Sequence, residues 1–493
     1  MKYQYLMKFA APLLIITLIT VGGCKKFLDV GTPVTKISTE TAYNDNLTAT
    51  AVITGLYTQL SYEYINGTTL AGSSFYEELS ADNLTLFDKG SNFNYTTFYE
   101  NSLEPKYAAN LGQSYWLTTY KLLYTINTSI DALKGNSALK PKVKNRLLGE
   151  TLFMRAFCYF YLVNYYGDVP LILTGDYTLN SKIGRAPSSE VYKQIISDLK
   201  QAEELLDYSY AGLDVTQITN ERLRPNLGAV NALLSRVYLY TKNYEAAEET
   251  ASKLISQSAI YSIGNLDEVF VKNSQETIWA LQPVTDGFNT LEGAIYLLPP
   301  DGPDATRPVY ISTSLLSSFE PGDDRKIIWI NEVTAQNGDS YFYPAKYKVP
   351  FLEADAFVRN TEYTIVFRLA EQYLIRSEAR NEMGNTKGAM DDLNVLRSRS
   401  RATPNTQVPN PLPELSSLSQ VQLRTVILKD RRVELFGEWA HRWFDLRRSG
   451  TMDDVMKIAA TEKGGIWSPN KKFYPIPLDD ILKNPALKQN SGF

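Results

Sequence analysis

Two kinds of side chain in this chain could carry out chemistry: a single histidine and several neighbouring acids. His441 is the one histidine among 493 residues, so a Ser–His–Asp or Cys–His nucleophile would have to use it. It sits in Ala440-His441-Arg442-Trp443-Phe444, beside Asp445 and Arg447. Set among rings and charges, it reads as a structural histidine, because a catalytic one would also need nucleophile and base in reach. Arg431, Arg432, Glu434, Arg442, Asp445, Arg447 and Arg448 crowd the same stretch. They read as an ion-pair network pinning helices rather than as an anion site. Adjacent acids occur at Glu77-Glu78, Asp323-Asp324 and Asp479-Asp480. Glycoside hydrolysis needs two acids about 5 to 10 Å apart across a cleft. Adjacency in sequence supplies no such pair, so solvated acids are expected. Cys158, in Phe157-Cys158-Tyr159-Phe160-Tyr161, reads as an inert thiol buried in an apolar helix. One histidine and one such thiol cannot build a zinc site of the usual composition. No G-x-S-x-G, P-loop or G-x-G-x-x-G occurs. No cofactor or metal is implied, and an enzyme is not expected.

Binding chemistry is better represented. The chain has 33 Tyr, 20 Phe and 6 Trp. An excess of Tyr over Phe suits surfaces where a ring meets water or a polar ligand. Sugars present apolar C–H faces and hydroxyl rims, so a sugar site needs flat rings beside amides, carboxylates or a guanidinium. Two stretches offer that mixture. Residues 61–110 carry Tyr64, Tyr76, Phe87 and Tyr95 beside Asp82, Asn83 and Asn92. Residues 265–364 carry Trp279, Phe288, Tyr296 and Trp329 beside Arg307. These twelve are the candidate glycan ligands, with core packing as the competing fate of each ring. A peptide ligand would use the same rings, with backbone pairing and charge capture added. The formal charge of −4 and the lack of a basic stripe argue against nucleic acid as a partner.

The elements that must position these residues are mostly helical. Residues 1–23 form a basic start, an apolar run of about a dozen residues and Gly22-Gly23 before Cys24. That run is too short to span a bilayer core of about 30 Å and reads as an export signal. Its small-small-Cys ending resembles a bacterial lipobox, which implies lipid on Cys24 and a tether over 24–45. Helical periodicity marks Asn46–Leu60, Ser114–Leu133, Pro141–Tyr166, Ser188–Leu206, Pro225–Thr241, Tyr244–Gln257, Ile365–Met383, Thr386–Arg399 and Leu418–Glu438. In Pro141–Tyr166 the rows Leu148-Leu152-Ala156-Phe160 and Phe153-Phe157-Tyr161-Tyr165 predict a broad buried stripe. Two helix pairs look alike. Asn243-Tyr244 is followed by Ala247, Ala251 and Leu254, and Gly384-Asn385 by Ala389, Leu393 and Leu396. Helix, tight turn and second helix with small residues at the crossing is a degenerate tetratricopeptide pattern, and a generic helical hairpin also fits. Residues 61–110 read as loops decorated with rings, and 265–364 as a loop-rich insertion with short strands at Thr277–Gln282 and Lys326–Val333. The expected fold is mainly α, a tetratricopeptide-like scaffold over 46–264 and 365–493 interrupted by that mixed insertion.

Four segments in order carry a resemblance to one family. They are Glu150–Leu171 (ETLFMRAFCYFYLVNYYGDVPL), Arg368–Arg380 (RLAEQYLIRSEAR) continuing through Asp392–Arg399 (DLNVLRSR), Arg431–Gly450 (RRVELFGEWAHRWFDLRRSG) and Phe473–Phe493 (FYPIPLDDILKNPALKQNSGF). With the lipobox, this set resembles the SusD/RagB outer-membrane lipoproteins of Bacteroidota. The departures are Ala440, where Gly is frequent, and Ser491, where Pro is frequent. The resemblance implies a SusD-like helical scaffold at the outer face of the outer membrane. It implies a SusC-like TonB-dependent transporter as partner, a nutrient glycan or peptide as cargo, a lid-like motion and no chemistry on the ligand. A lipid-anchored scaffold that only organises other proteins stays open beside it. Residues 61–110 and 265–364 match the family least and are where its members build their ligand sites.

Overall fold

A computed structural model describes residues 42–62, 70–90, 92–106, 112–284, 289–350 and 360–493. The leader and Cys24 lie outside these, as do Tyr64 and Phe288. Helices α1 (Asn46–Tyr62) and α2 (Tyr76–Ser80) lead to strand β1 (Leu84–Leu86), then α3 (Phe93–Tyr99), α4 (Gly112–Lys134), α5 (Pro141–Tyr166), the short α6 (Tyr177–Asn180) and α7 (Ser188–Leu205). Next come α8 (Leu227–Tyr240), α9 (Tyr244–Ile255), β2 (Thr277–Leu281), α10 (Leu291–Tyr296), β3 (Val309–Ile311), α11 (Thr313–Leu316), α12 (Arg325–Ile328), β4 (Ile330–Thr334), β5 (Ser340–Pro344) and β6 (Thr364–Arg368). The chain closes through α13 (Leu369–Glu382), α14 (Thr386–Arg399), α15 (Gln420–Leu435), α16 (His441–Arg448), α17 (Met452–Glu462) and α18 (Leu478–Lys483). The fold is mainly α. Among the described residues no helix is long and apolar enough to cross a membrane.

The scaffold grows around α5. Pro141 occupies its first turn, where a missing N–H costs nothing, and Gly167 at φ 73° ends it. Every residue from Gly149 to Tyr166 is buried, so this helix is enclosed on all sides, beyond the broad stripe its sequence predicts. Its charges are paired. Arg155 grips both oxygens of Asp198 on α7 at 2.6 and 2.7 Å, and Glu150 accepts from Arg146 and Arg224. Tyr165 lies nearly parallel to Tyr115 and Tyr474, with ring centroids 5.1 and 5.6 Å apart. Cys158 is fully buried, and burial pushes its thiol up.

The two hairpins α8–α9 and α13–α14 are built alike. In each, an Asn caps the second helix: Asn243 accepts from the Ala246 N–H and Asn385 from the Gly388 N–H. The small residues Ala247, Ala251 and Ala389 are fully buried, which lets the helices approach closely, and α9 packs against α13. Between the hairpins the texture is mixed. β2 pairs antiparallel with β6, and β4 with β5.

Three expectations are corrected. The apolar run starting near Ile365 is strand β6 before it becomes helix α13. All five residues of β6 are buried, so it lacks the alternation that marks a half-exposed strand. The stretch from Lys326 begins as the turn α12 and turns extended only at Ile330. The described part of residues 61–110 holds the end of α1, a short 3-10 helix, two short α-helices and a strand as well as loop.

A buried ion network joins the insertion to the closing helices. Glu434 accepts from Arg325, Arg368 and Arg399 at 2.6 to 2.8 Å. Burial alone would raise its carboxyl, yet the three guanidinium groups hold it well below the usual carboxylate range. Arg368 also reaches Glu276 and Glu438, and Lys346 pairs with Glu438 at 2.6 Å. Nearby, Arg431 and Arg448 share Asp445 at 2.7 Å each. His441 is buried here. Burial, with Arg236 and Arg431 beside it, holds its imidazole well below the ordinary value and therefore neutral. The charged motif is a brace, as its sequence suggests.

Candidate functional site

The two stretches singled out for their rings meet in space. β1, from the first, pairs antiparallel with β3, from the second, in the register Leu84↔Ile311, Thr85↔Tyr310 and Leu86↔Val309. The seam continues at both ends. The Phe87 N–H donates to the Pro308 carbonyl at 2.8 Å, and the Ser312 N–H to the Asn83 carbonyl at 2.9 Å. Leu84, Leu86, Val309 and Ile311 turn inward and are buried. Period-two alternation therefore puts Thr85 and Tyr310 on the other face.

On that face three rings form a ledge. Tyr341 of β5 stands nearly perpendicular to both neighbours, with centroids 5.8 Å from Phe87 and 5.2 Å from Tyr310. Phe87 is 47% exposed, and the two tyrosines are half-buried. Gly302, at φ +88°, leaves room for this arrangement. A Cβ there would sit 3.1 Å from two Tyr341 ring carbons. Polar groups frame the rings. The Asp304 carboxylate accepts from the backbone N–H groups of Thr306 and Arg307. Arg307 approaches it only to 3.8 Å, and its buried Nε has no hydrogen-bond partner. Asp339 lies 3.5 Å from the Tyr341 hydroxyl, and Gln336 donates to Asp301. Flat rings edged by a carboxylate, an amide and a guanidinium can stack on a sugar face and bond its hydroxyls.

Beneath the ledge lies a rigid charged floor. Asp82 pairs with Arg442 and Arg432. Burial would raise its carboxyl, but the two arginines hold it below the usual range. Arg432 also donates to Asn83, and Asn83 to Glu78. Burial pushes Glu78 up to about 7 and Glu77 well above the ordinary value. Lys463 donates to the carbonyls of Leu79, Ser80 and Ala81 at the end of α2. Burial lowers its ammonium to about 7. Asp323 is also buried, paired with Arg325 at 2.7 Å. Glu77, Glu78 and Asp323 are therefore interior acids rather than the solvated ones expected.

Of the predicted ligands, Phe87 and Arg307 are at the ledge. Several others are interior and offer no face to solvent. Trp279 is fully buried between Phe153 and Phe157, its Nε1 donating to the Leu223 carbonyl. Trp329 is likewise buried, against Phe270, and donates to Leu266. Tyr76 packs on Phe98, and the Tyr296 hydroxyl donates to the Ser74 carbonyl. Tyr95 is half-buried against Phe75. Asn92 caps α3, accepting from the N–H groups of Asn94 and Tyr95. Asp82 and Asn83 belong to the floor. Tyr310 and Tyr341 were missed. For Tyr341 a signal exists: Asn337-Gly338 between two alternating runs is a hairpin signature.

Residues 331–493 match the model described as the SusD family. Residues 26–239 match a model described as starch-binding and associating with the outer membrane. This chain is similar to the SusD family over both of these stretches. A SusD-like protein of Formosa agariphila is 25% identical over 95% of this chain and 96% of its own length. A SusD-like protein of Bacteroides fragilis superposes with a TM-score of 0.75 at 22% identity, covering 94% of this chain and 100% of that one. A laminarin-binding SusD-like protein gives 0.73 at 22% identity, over 90% and 99% of the two chains. The SusD fold is therefore shared almost end to end.

Proposed function

We propose that this SusD-like chain is a surface lipoprotein, tethered by lipid on Cys24, that captures a glycan on the ledge. It then delivers the glycan to a SusC-like TonB-dependent transporter, acting as its lid and doing no chemistry on the cargo. The observation that carries this reading is the seam β1–β3. It joins the two ring-rich stretches and sets Phe87, Tyr310 and Tyr341 around one exposed corner. The family description and a laminarin-binding neighbour support a glycan as cargo. Fixed rings lower the ordering cost of a weak, repeated capture. The test is calorimetry of the chain with laminarin, starch and a wider polysaccharide panel, beside Phe87→Ala and Tyr341→Ala. Heat with one glycan, reduced by both substitutions, supports the reading. Heat with peptides alone overturns it in favour of peptide cargo.

A further inference from the structure

A cavity of about 290 Å³ opens between α4, the segment that follows α5 and the C-terminal helix α18. It shares no residue with the ledge. Trp116, Tyr120 and Tyr124 recur every fourth residue on α4 and so lie along one face of it. The first two are a fixed floor. Trp116 packs edge-on to Tyr166 at 5.0 Å and lies 4.9 Å from Tyr120. The Tyr120 hydroxyl donates to the Pro170 carbonyl at 2.8 Å. Tyr124 is 53% exposed and stands at the rim. Opposite chemistry comes from two other elements. Asn180 spends its amide N–H on the Thr174 carbonyl at 2.8 Å, while its Oδ1 is buried with no partner. Asp480 and Lys483, on one helix of six residues, bring a carboxylate and an ammonium to the same opening.

We propose that this cavity binds a single pyranose ring, a saccharide subsite separate from the ledge. The volume is at the lower end of small-molecule sites, enough for one ring and too small for a chain folded inside it. An apolar floor suits the C–H face of such a ring. The unpaired acceptor on Asn180 and the Asp480 carboxylate suit its hydroxyl donors, and Lys483 suits a hydroxyl acceptor. An aromatic or aliphatic side chain from another protein would fill the floor but leave Asn180 Oδ1 unpaired. An anion would meet Asp480.

The test is saturation-transfer NMR on the full chain in detergent, with methyl α-glucoside, methyl β-glucoside, methyl α-mannoside and methyl β-galactoside as probes. The expected result is ring-proton signal from at least one of them. That signal drops about fivefold or more in Tyr124→Ala and in Asp480→Asn and is retained in Phe87→Ala, with unchanged melting temperatures throughout. Silence from all four glycosides overturns the proposal. So does a signal that survives Tyr124→Ala, and one lost with Phe87→Ala but not with Tyr124→Ala, which would belong to the ledge. The ledge reading can fail in its own calorimetry without touching this outcome.

Discussion

Arg442 grips both carboxylate oxygens of Asp82, with Nε 2.7 Å from Oδ1 and Nη2 2.9 Å from Oδ2. One partner belongs to the closing helices and the other precedes β1, so this clamp fixes the strand on which the ledge is built. Arg432 adds a second guanidinium. Asp82→Asn leaves two buried cations short of a counter-charge. It is expected to cost about 3–5 kcal/mol in urea unfolding. The Asp82 carboxyl is held below its unfolded value of 3.8, so its contribution is present above that pH and is lost as pH falls below it. A parent and variant that lose stability equally on acidification would count against the clamp.

The neighbouring Glu78 works in the other direction. Its folded value of about 7 exceeds the unfolded 4.5, so between them the folded chain holds the proton more tightly. The contribution to stability is therefore full below 4.5 and declines as pH rises through 7. Glu78→Gln keeps an acceptor for Asn83 and removes the ionisable group. Above pH 7 the variant is expected to exceed the parent by about 1–3 kcal/mol. Its stability should also be flatter across this interval. Chemical denaturation at a series of pH values reads both.

Exposed and buried rings should separate cleanly. Phe87→Ala and Tyr341→Ala are expected to weaken glycan binding about three- to tenfold with little change in melting temperature. Trp279→Ala empties a fully buried site and is expected to cost about 3–5 kcal/mol of stability. If Trp279→Ala melts normally yet no longer binds, the ledge is not the site.

Ala440 stands where the backbone favours glycine, and its conformation shows the cost. It sits at φ 63° in the left-handed region and is fully buried. A Cβ there costs about 1–2 kcal/mol, part of which glycine returns through its freer unfolded state. Ala440→Gly is expected to stabilise the chain by about 0.5–1 kcal/mol. The rise should appear as a higher denaturant midpoint at unchanged slope.

The helical scaffold was largely legible because its signals are local. Pro141, Gly167 and Asn385 mark helix ends through caps and turns acting over a few residues. β6 was not legible: Thr364–Arg368 is buried on both faces, and a short apolar run cannot declare its period. The candidate site was legible by region and not by residue. Phe87 and Arg307 emerged from the ring-and-polar criterion, yet the same criterion selected Trp279 and Trp329, since a buried indole also sits near polar groups. What separates the two groups is the pairing of Thr85 with Tyr310, a contact between distant parts of the chain. No local pattern encodes it.

The seam between β1 and β3 has three rungs, and a sheet register shifted by one residue turns every side chain to the opposite face. An insertion of one residue ahead of Leu84 would thus send Thr85 inward and a core leucine outward. On the proposed reading, transplanting ligand preference between relatives must then move 84–87 and 307–311 together, as a matched cassette. A chimaera that exchanges either strand alone inherits a mismatched half and a scrambled surface, however well its helices fold.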